Sequence, residues 1–281
     1  MDLSIIIVSW NVQDKLRLNL TALQNSRGDF TREIFVVDNN SADRSAAMVS
    51  QEFPEVRLLA NDQNLGFAAA NNQAMRLARG RFILLLNPDM QVEPDTLANM
   101  LEWSRKNPQA TVSGCKLLNQ NHQVIKQVRR FPKFFDQLMI VAKVPHIFPG
   151  VLNRYLQPKF NYEEASRVDS IRGAFFLINL DNWKKISQQD KPLLDEQYFV
   201  WFEEVDFCRQ VYKMGGEVWY TPAASCLDYV GQSFKQIKIS QAQKYFSDSM
   251  LKYFAKWEKR WQYLGLKFTW QIIKLILPNK K

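Results

Sequence analysis

Hydrophobic positions in the first ninety residues fall into short apolar runs separated by stretches of helical spacing. Leu3–Ser9 is apolar and β-rich, and Leu16, Leu20 and Leu23 then recur at helical intervals. Ile34–Val37 predicts a second strand, ending in Asp38-Asn39-Asn40. Ser41 is placed to cap a helix that includes Ala46 and Met48. Val56–Ala60 predicts a third strand, Ala68–Ala78 a helix with Gly80 as its stop, and Phe82–Leu86 a fourth strand. This β-α-β-α-β-α-β alternation predicts an α/β fold: a parallel sheet covered by helices. A helix near Asp95–Lys106 and a strand at Thr111–Leu118 follow. The texture then becomes irregular, basic and aromatic from Asn119 to Asp169. Ordered blocks resume at Val168–Leu180 and Leu194–Cys208, and the chain from Phe234 onward reads as helices rich in Lys, Tyr, Phe and Trp.

The run Phe82-Ile83-Leu84-Leu85-Leu86 ends abruptly in Asn87-Pro88-Asp89. Its length suits a buried parallel strand, and proline stops the strand and stiffens its exit. Ligands of open α/β sheets bind beyond the carboxyl ends of the strands, so Asp89 is placed where a carboxylate can hold a divalent cation. Asp38 ends the second strand in the same way, and a carboxylate there can accept an N–H of a pyrimidine base or simply close a turn. Gly66, before the Ala68–Ala78 helix, allows the backbone to approach a ligand closely, with the free N–H groups of the helix start behind it. Glu203, Glu204 and Asp206 gather at the expected start of a helix. Trp201, Phe202, Val205 and Phe207 give these acids an apolar setting, which raises a carboxylate toward general-base duty.

Composition narrows the partners. The 281 residues carry a net charge of +9, which favours an anionic partner: a phosphate-bearing substrate, a membrane surface or nucleic acid. Lys126, Arg129, Arg130 and Lys133 form a basic patch that suits a diphosphate, a lipid headgroup or plain solvation. The aromatic and basic C-terminal stretch around Lys252–Trp261 reads equally as an interfacial surface or as helices packing on the core. Cys115, Cys208 and Cys226 form no CxxC pair, which argues against a zinc site or disulfide framework and for a reducing cytosol. Only two histidines occur, His122 and His146, which weakens any His-based mechanism. The chain starts directly on its first strand, with no basic n-region, and so reads as lacking a signal peptide. No apolar run reaches the roughly 18 residues of a spanning helix. Lys267 and Lys274 interrupt the most lipid-like one, Leu264 to Leu277. Neither a GxGxxG fingerprint nor a P-loop occurs, which counts against a nicotinamide enzyme or a nucleoside triphosphatase. No recognition-helix or RNP signature supports nucleic-acid binding, and the clustered acids oppose it.

Taken in order, Ser4-Ile5-Ile6-Ile7-Val8-Ser9-Trp10-Asn11, Val37-Asp38-Asn39-Asn40-Ser41, Asn64-Leu65-Gly66-Phe67, Leu86-Asn87-Pro88-Asp89, Arg172-Gly173-Ala174-Phe175-Phe176 and Glu203-Glu204-Val205-Asp206 resemble the family 2 glycosyltransferases, and in particular their bacterial rhamnosyltransferase-like branch. The resemblance covers about residues 1–235 and implies a GT-A fold: a Rossmann-like, mostly parallel sheet flanked by helices, with a helical C-terminal extension. The implied division is a GT-A domain over 1–233, split near 110 into a nucleotide-binding and an acceptor half, followed by helices over 234–281. It further implies an inverting enzyme that moves a sugar, with rhamnose from a deoxythymidine-diphosphate donor as best guess, to a hydroxyl of a lipid-linked or polysaccharide acceptor. The resemblance implies a divalent metal, Mg2+ or Mn2+, while the basic charge and aromatic tail suggest that the work is done at the cytoplasmic face of the cell membrane, with peripheral membrane contact. Carried over residue by residue, Asp38 holds the base, and Asp89 binds metal and diphosphate. Ser9, Asn11, Gly66, Asn71 and Asn87 belong to the donor side, while Arg172, Gly173 and Ala174 lie by the donor sugar or acceptor. Glu204 aligns with the family's base, an aspartate there, and Glu203 stands as the alternative. The family usually carries a histidine before a Gly-Gly-x-Ser turn. This chain reads Cys226-Leu227-Asp228-Tyr229-Val230-Gly231-Gln232-Ser233, so Asp228 takes the histidine's place as a metal ligand. The same departure allows a rival reading, a GT-A domain that has lost catalysis and only binds nucleotide or glycan.

Overall fold

The computed structural model describes residues 1–229 and 237–276. The expected Val230-Gly231-Gln232-Ser233 turn, the boundary at 233/234 and Leu277 lie outside the described residues. In chain order the elements are β1 (Leu3–Ser9), α1 (Gln13–Gln24), β2 (Arg32–Asp38), α2 (Ser45–Glu52), β3 (Arg57–Ala60), α3 (Phe67–Leu77) and β4 (Phe82–Leu86). Then come β5 (Met90–Val92), α4 (Thr96–Lys106), β6 (Ala110–Leu118), α5 (Phe134–Val141), α6 (Asn153–Leu156), β7 (Ser166–Arg167), β8 (Phe175–Asn179) and α7 (Leu180–Ser187). The chain continues through α8 (Glu203–Lys213), β9 (Glu217–Asp228), α9 (Ile239–Trp257) and α10 (Arg260–Ile276).

The strands form one sheet in the order β3-β2-β1-β4-β8-β6-β9-β5, with β7 pairing to β9. The half built by the first ninety residues is parallel throughout, as right-handed β-α-β units require. β8 then enters antiparallel between β4 and β6, and the second half is mixed. Every residue of β1 and β4 is buried, because helices cover both faces of the central strands. One core lies on the α1/α2/α4 face and another on the α3/α7/α8 face. A third, smaller cluster joins Tyr198 and Phe202 to Met250, Tyr253 and Phe254 of α9 and Leu266 of α10. The C-terminal helices therefore rest on the loop that leads into α8.

Two expected helix signals work differently in three dimensions. Ser41 caps no helix: α2 starts at Ser45 behind Arg44, which is left-handed (φ 66°). The Ser41 hydroxyl instead accepts the Asn11 N–H at 3.0 Å, tying the β2 exit to the β1 exit. Gly80 does not stop α3, which ends at Leu77 as Ala78 turns extended. Gly80 lies against β1, where a Cβ would stand 2.4 Å from the Ser4 nitrogen. Only a residue without a side chain lets the α3–β4 connection pass that strand.

Candidate active site

The parallel strands end on one edge of the sheet, and a cavity of about 400 Å³ opens there. Its volume lies in the range of small-ligand sites. Three wall segments come from distant parts of the sequence, and sheet pairing explains their meeting. β4 and β8 run antiparallel with Leu86 opposite Phe175, so Asn87-Pro88-Asp89 lies beside Arg172-Gly173-Ala174, and the Asn87 N–H donates to the Ala174 carbonyl at 3.0 Å. β5 and β9 pair with Met90 opposite Asp228, which brings Asp228 next to Asp89. The Tyr229 N–H closes this corner on the Asp89 carbonyl at 3.1 Å.

The third segment is the start of α8. Trp201 and Phe202 both adopt left-handed backbone, with φ of 65° and 70°. For bulky residues this conformation costs on the order of 1–3 kcal/mol each and persists only where the surroundings enforce it. Here the enforcement is the packing of Phe202 on Phe246 and Tyr253 of α9. The double turn aims Glu203 and Glu204 into the cavity wall. Asp206, expected with them as one acid cluster, points the other way. It accepts from Gln210 Nε2 (2.6 Å), Lys256 Nζ (2.8 Å), Tyr198 Oη (3.2 Å) and Trp257 Nε1 (2.5 Å), at the α8–α9 interface.

Burial pushes both cavity carboxylates above their ordinary range. Glu203 rises well above it, through desolvation and then the neighbouring Glu204 charge. Glu204 is held back by its own and Val205's N–H groups at the helix start and by the charge of Arg172. Of the two, Glu204 is therefore the readier to ionise and Glu203 the readier to keep its proton. The Oε2 atom of each is buried with no hydrogen-bond partner among the described residues. An acid with a raised folded-state pKa binds more protons folded than unfolded, so it stabilises the fold below its unfolded pKa and that contribution is lost as pH rises through the folded pKa. Wild-type stability should thus fall between mildly acidic and alkaline pH, and Glu203→Gln should remove much of that slope. Denaturation midpoints across pH check this, and parallel curves for the two proteins would contradict it.

Arg172 links the cavity to the sheet. Its guanidinium donates to Asp228 Oδ2 at 2.9 Å, and the Asp228 side chain is 1% exposed while that of Arg172 is 34% exposed. Gly173 sits against Glu204, where a Cβ would meet the Glu204 Cβ at an ordinary 3.5 Å. On the opposite side, Ser9 and Asp38 are register partners at the carboxyl ends of β1 and β2. Asp38 Oδ2 accepts the Ser41 N–H at 3.0 Å, while Asp38 Oδ1 and Ser9 Oγ are buried with no partner among the described residues. Two orphaned polar atoms side by side at a strand end are suited to a polar ligand.

Gly66 contributes in a way the sequence does not display. It has φ 84°, and a Cβ there would lie 2.5 Å from the Phe199 carbonyl oxygen. The backbone that approaches Gly66 so closely is thus the chain's own, and one of the expected free N–H groups at the α3 start is taken: Phe67 N–H donates to the Phe199 carbonyl at 2.6 Å. Strain plus clash predicts that Gly66→Ala costs about 2 kcal/mol or more. Urea denaturation reads this directly, and a change within about 0.5 kcal/mol would contradict the close approach.

Of the expected residues, Gly66, Asn87, Asp89, Arg172, Gly173, Ala174, Glu203 and Glu204 line one cavity. Ser9, Asn11, Asp38, Asn71 and Asp228 do not line it. Asn11 Oδ1 accepts the Ala42 N–H at 2.7 Å, Asn71 bonds back to the Phe67 carbonyl at 2.9 Å inside α3, and Asp228 sits behind Arg172. Residues given no site role beforehand also stand in the wall, among them Trp10, Asn39, Asn64 and Phe199, and so does Trp201, expected only as apolar surroundings for the acids. Asn39 and Asn64 already stand in the motif stretches, and the Asn39 amide ties the two together at 2.8 Å. Nothing local in the sequence marks Phe199. The basic patch does not hold together as one face: Arg129 is half-buried and donates to the Val128 carbonyl, while Lys126, Arg130 and Lys133 are exposed. All three cysteines are buried and free.

No group of three or more metal-ligating side chains occurs among the described residues. A hard divalent cation nevertheless fits the donor chemistry at Asp89, a 5% exposed carboxylate on the cavity wall. Such ions accept one carboxylate and take their remaining oxygens from substrate phosphates and water. Asp228, already engaged by Arg172, is the weaker of the two expected ligands.

Comparison with known proteins identifies the family and the fold. The family model "Glycosyl transferase family 2" matches residues 4–176. The succinoglycan biosynthesis protein ExoO of Rhizobium meliloti is 31% identical over 147 residues, 52% of this chain and 40% of its own length. This chain thus spans well under half of that relative. The rhamnosyltransferase WbbL of Escherichia coli is 24% identical over 260 residues, 90% of this chain and 92% of its own. Among solved structures, the mannosyltransferase PcManGT of Pyrobaculum calidifontis, in complex with GDP-Man and Mn2+, superposes with a TM-score of 0.58 at 17% identity, over 97% of this chain and 70% of that one. The shared fold is that of GT-A glycosyltransferases.

Proposed function

The chain belongs to glycosyl transferase family 2, and from that premise we propose that it transfers a sugar from a nucleoside diphosphate to an acceptor hydroxyl with inversion at the anomeric carbon. The observation that carries this reading is the convergence of Asp89, Arg172 and the Glu203–Glu204 pair on one cavity at the carboxyl edge of the parallel strands. Asp38, the base holder by resemblance, lies with Ser9 just behind the wall next to Asn39, and their orphaned oxygens leave the β1 and β2 exits as the place for the base. Asn87 and Asp89 face the diphosphate, and Arg172 supplies positive charge where the leaving group becomes anionic. A divalent cation held by Asp89 would add Lewis-acid stabilisation of that same charge. Glu204 accepts the proton of the attacking hydroxyl, and Glu203, protonated beside it, keeps a second negative charge out of the site. The cavity walls align acceptor against donor.

WbbL and ExoO carry names from rhamnosyl transfer and from succinoglycan biosynthesis. They support rhamnose as the sugar and a polysaccharide as the product class; the deoxythymidine-diphosphate donor, a lipid-linked acceptor and the inner face of the membrane complete the proposal. The division into a nucleotide half, an acceptor half and a helical extension belongs to the same proposal. A second reading, a nucleotide- or glycan-binding module without turnover, draws on Asp228, which stands in the place of the family's histidine and bonds to Arg172.

A thermal-shift panel of deoxythymidine and uridine diphosphate sugars, with and without manganese, tests the donor side. A ligand at a hundred times its Kd adds about 2.7 kcal/mol of stability. One donor should stabilise the protein, more so with manganese, and Asp89→Ala should lose the metal-dependent part. No shift with any donor would overturn the reading. Binding without donor hydrolysis or transfer would favour the module.

A further inference from the structure

α10 has two apolar faces. Leu266 is fully buried and, with Tyr263, Trp270 and Ile273, faces the cluster formed with α9. Trp261, Leu264, Phe268, Ile272 and Leu275 form a second set, 36 to 81% exposed. At about 100° per residue these five fall in a stripe about 80° wide, nearly opposite the buried face. A soluble helix normally shows one apolar stripe and a polar back. A second stripe of this length is a docking surface in search of an occupant.

Charge identifies the occupant. Arg260, Lys267 and Lys274 stand seven residues apart and form a rail about 40° wide on one flank of the exposed stripe. α10 contains no acidic residue. The Lys267 and Lys274 ammonium groups lie 5.8 and 5.7 Å from the Tyr263 and Trp270 rings, clear of the outer stripe. The other flank is closed by α5, whose Phe134 packs on Gly265 and meets the Trp261 ring at 5.0 Å. Beside it Phe135 is exposed, as are Ile147 and Phe148 in the turns that follow. That segment is basic as well, and its single acid between residues 133 and 160, Asp136, is buried and held by Arg154. Aromatic and aliphatic side chains flanked by cations, without acids, match an anionic bilayer surface, into which such a face sinks by about 5–10 Å. A second copy of the chain fits poorly, because an antiparallel two-fold contact of this stripe would set one cationic rail against another. No helix among the described residues is long and apolar enough to cross a membrane.

We propose that the outer face of α10, extended by Phe135 of α5, docks this protein peripherally onto anionic phospholipid. The surface stands on the packing of α5 and α10 and not on the sugar-transfer reading.

Cosedimentation of the full chain with phosphatidylcholine vesicles, with and without phosphatidylglycerol, tests this in the absence of donor and acceptor. Wild type should partition onto the phosphatidylglycerol vesicles and be released by salt. Phe268→Glu with Leu275→Glu should lower partition by about tenfold or more. Lys267→Gln with Lys274→Gln should lower it by about tenfold and flatten its salt dependence. All these positions are exposed, so both variants should keep the wild-type melting temperature and donor binding. Equal binding to neutral and anionic vesicles, wild-type partition by either variant, or a dimer that Phe268→Glu with Leu275→Glu dissociates without any vesicle binding would each overturn the proposal. Failure of the donor panel would leave it standing, and failure here would leave the transferase reading standing.

Discussion

Glu204→Gln is expected to lower the transfer rate by about 10²- to 10⁴-fold, the usual contribution of a positioned general base, while leaving donor binding close to wild type. The substitution keeps the shape of the side chain and removes only its capacity to take a proton. Glutamine also removes a charge that burial disfavours, so the folded protein should lose no stability with it. The wild-type rate should rise with pH and level off only above the ordinary carboxylate range, because burial lifts Glu204 and only the ionised form accepts the acceptor's proton. Steady-state kinetics with saturating donor, together with the pH profile, read both effects. Full activity in Glu204→Gln, with activity lost in Glu203→Gln, would transfer the role to Glu203. Full activity in both would remove the base from this cluster.

Asp206→Ala is expected to cost about 3 kcal/mol of stability. Asp206 is fully buried and its carboxylate is the common acceptor for Tyr198, Gln210, Lys256 and Trp257. Removing it leaves the Lys256 ammonium facing a buried gap, with Asp195 at 2.7 Å as its remaining carboxylate partner among the described residues. Because the Lys256 side chain is 30% exposed, water screens part of that loss, which places the effect at the low end of the range for a broken buried pair. The substitution also loosens α9 from α8, and α9 is what holds Trp201 and Phe202 in left-handed backbone. Donor affinity should therefore fall along with stability, and Asp206→Asn should lose less of both. Urea denaturation and donor titration measure the pair of effects. A loss under about 0.5 kcal/mol would show that the interface does not depend on this carboxylate.

Glu204 and Asp206 stand two residues apart and do opposite work, and nothing local in Glu203-Glu204-Val205-Asp206 says which acid does which. Helical spacing predicts that their directions differ by about 200°, but not which direction meets the cavity. That is set by the left-handed pair at 201–202 and by α9, whose cluster with Tyr198 and Phe202 forms only in the folded chain. Gly66 is similar. Its glycine suggests a close approach, and the structure identifies the approaching group as the Phe199 carbonyl.

By itself the sequence determined the parallel half of the sheet. β1 and β4 fall on the expected residues, and β2, β3 and α3 lie within two residues of them, because buried strands and amphipathic helices write their periods into short windows of sequence. It also determined that Asp38, Asn87 and Asp89 stand at strand exits, since proline and Asx residues end strands wherever they occur. Only the tertiary structure decided that β8 enters antiparallel between β4 and β6, that Arg172 thereby reaches the Asn87–Asp89 corner, and that it pairs with Asp228, 56 positions away. Likewise, sequence alone left the aromatic, basic C-terminus open between core packing and an exposed surface. Tyr253, Phe254 and Trp257 of the Lys252–Trp261 stretch pack on the core at the end of α9, and the exposed apolar face begins only at Trp261 on α10. Strand partners, ion pairs and the choice of buried face depend on contacts between distant segments, and the free energy that selects them comes from burial shared by both segments and recorded in neither alone.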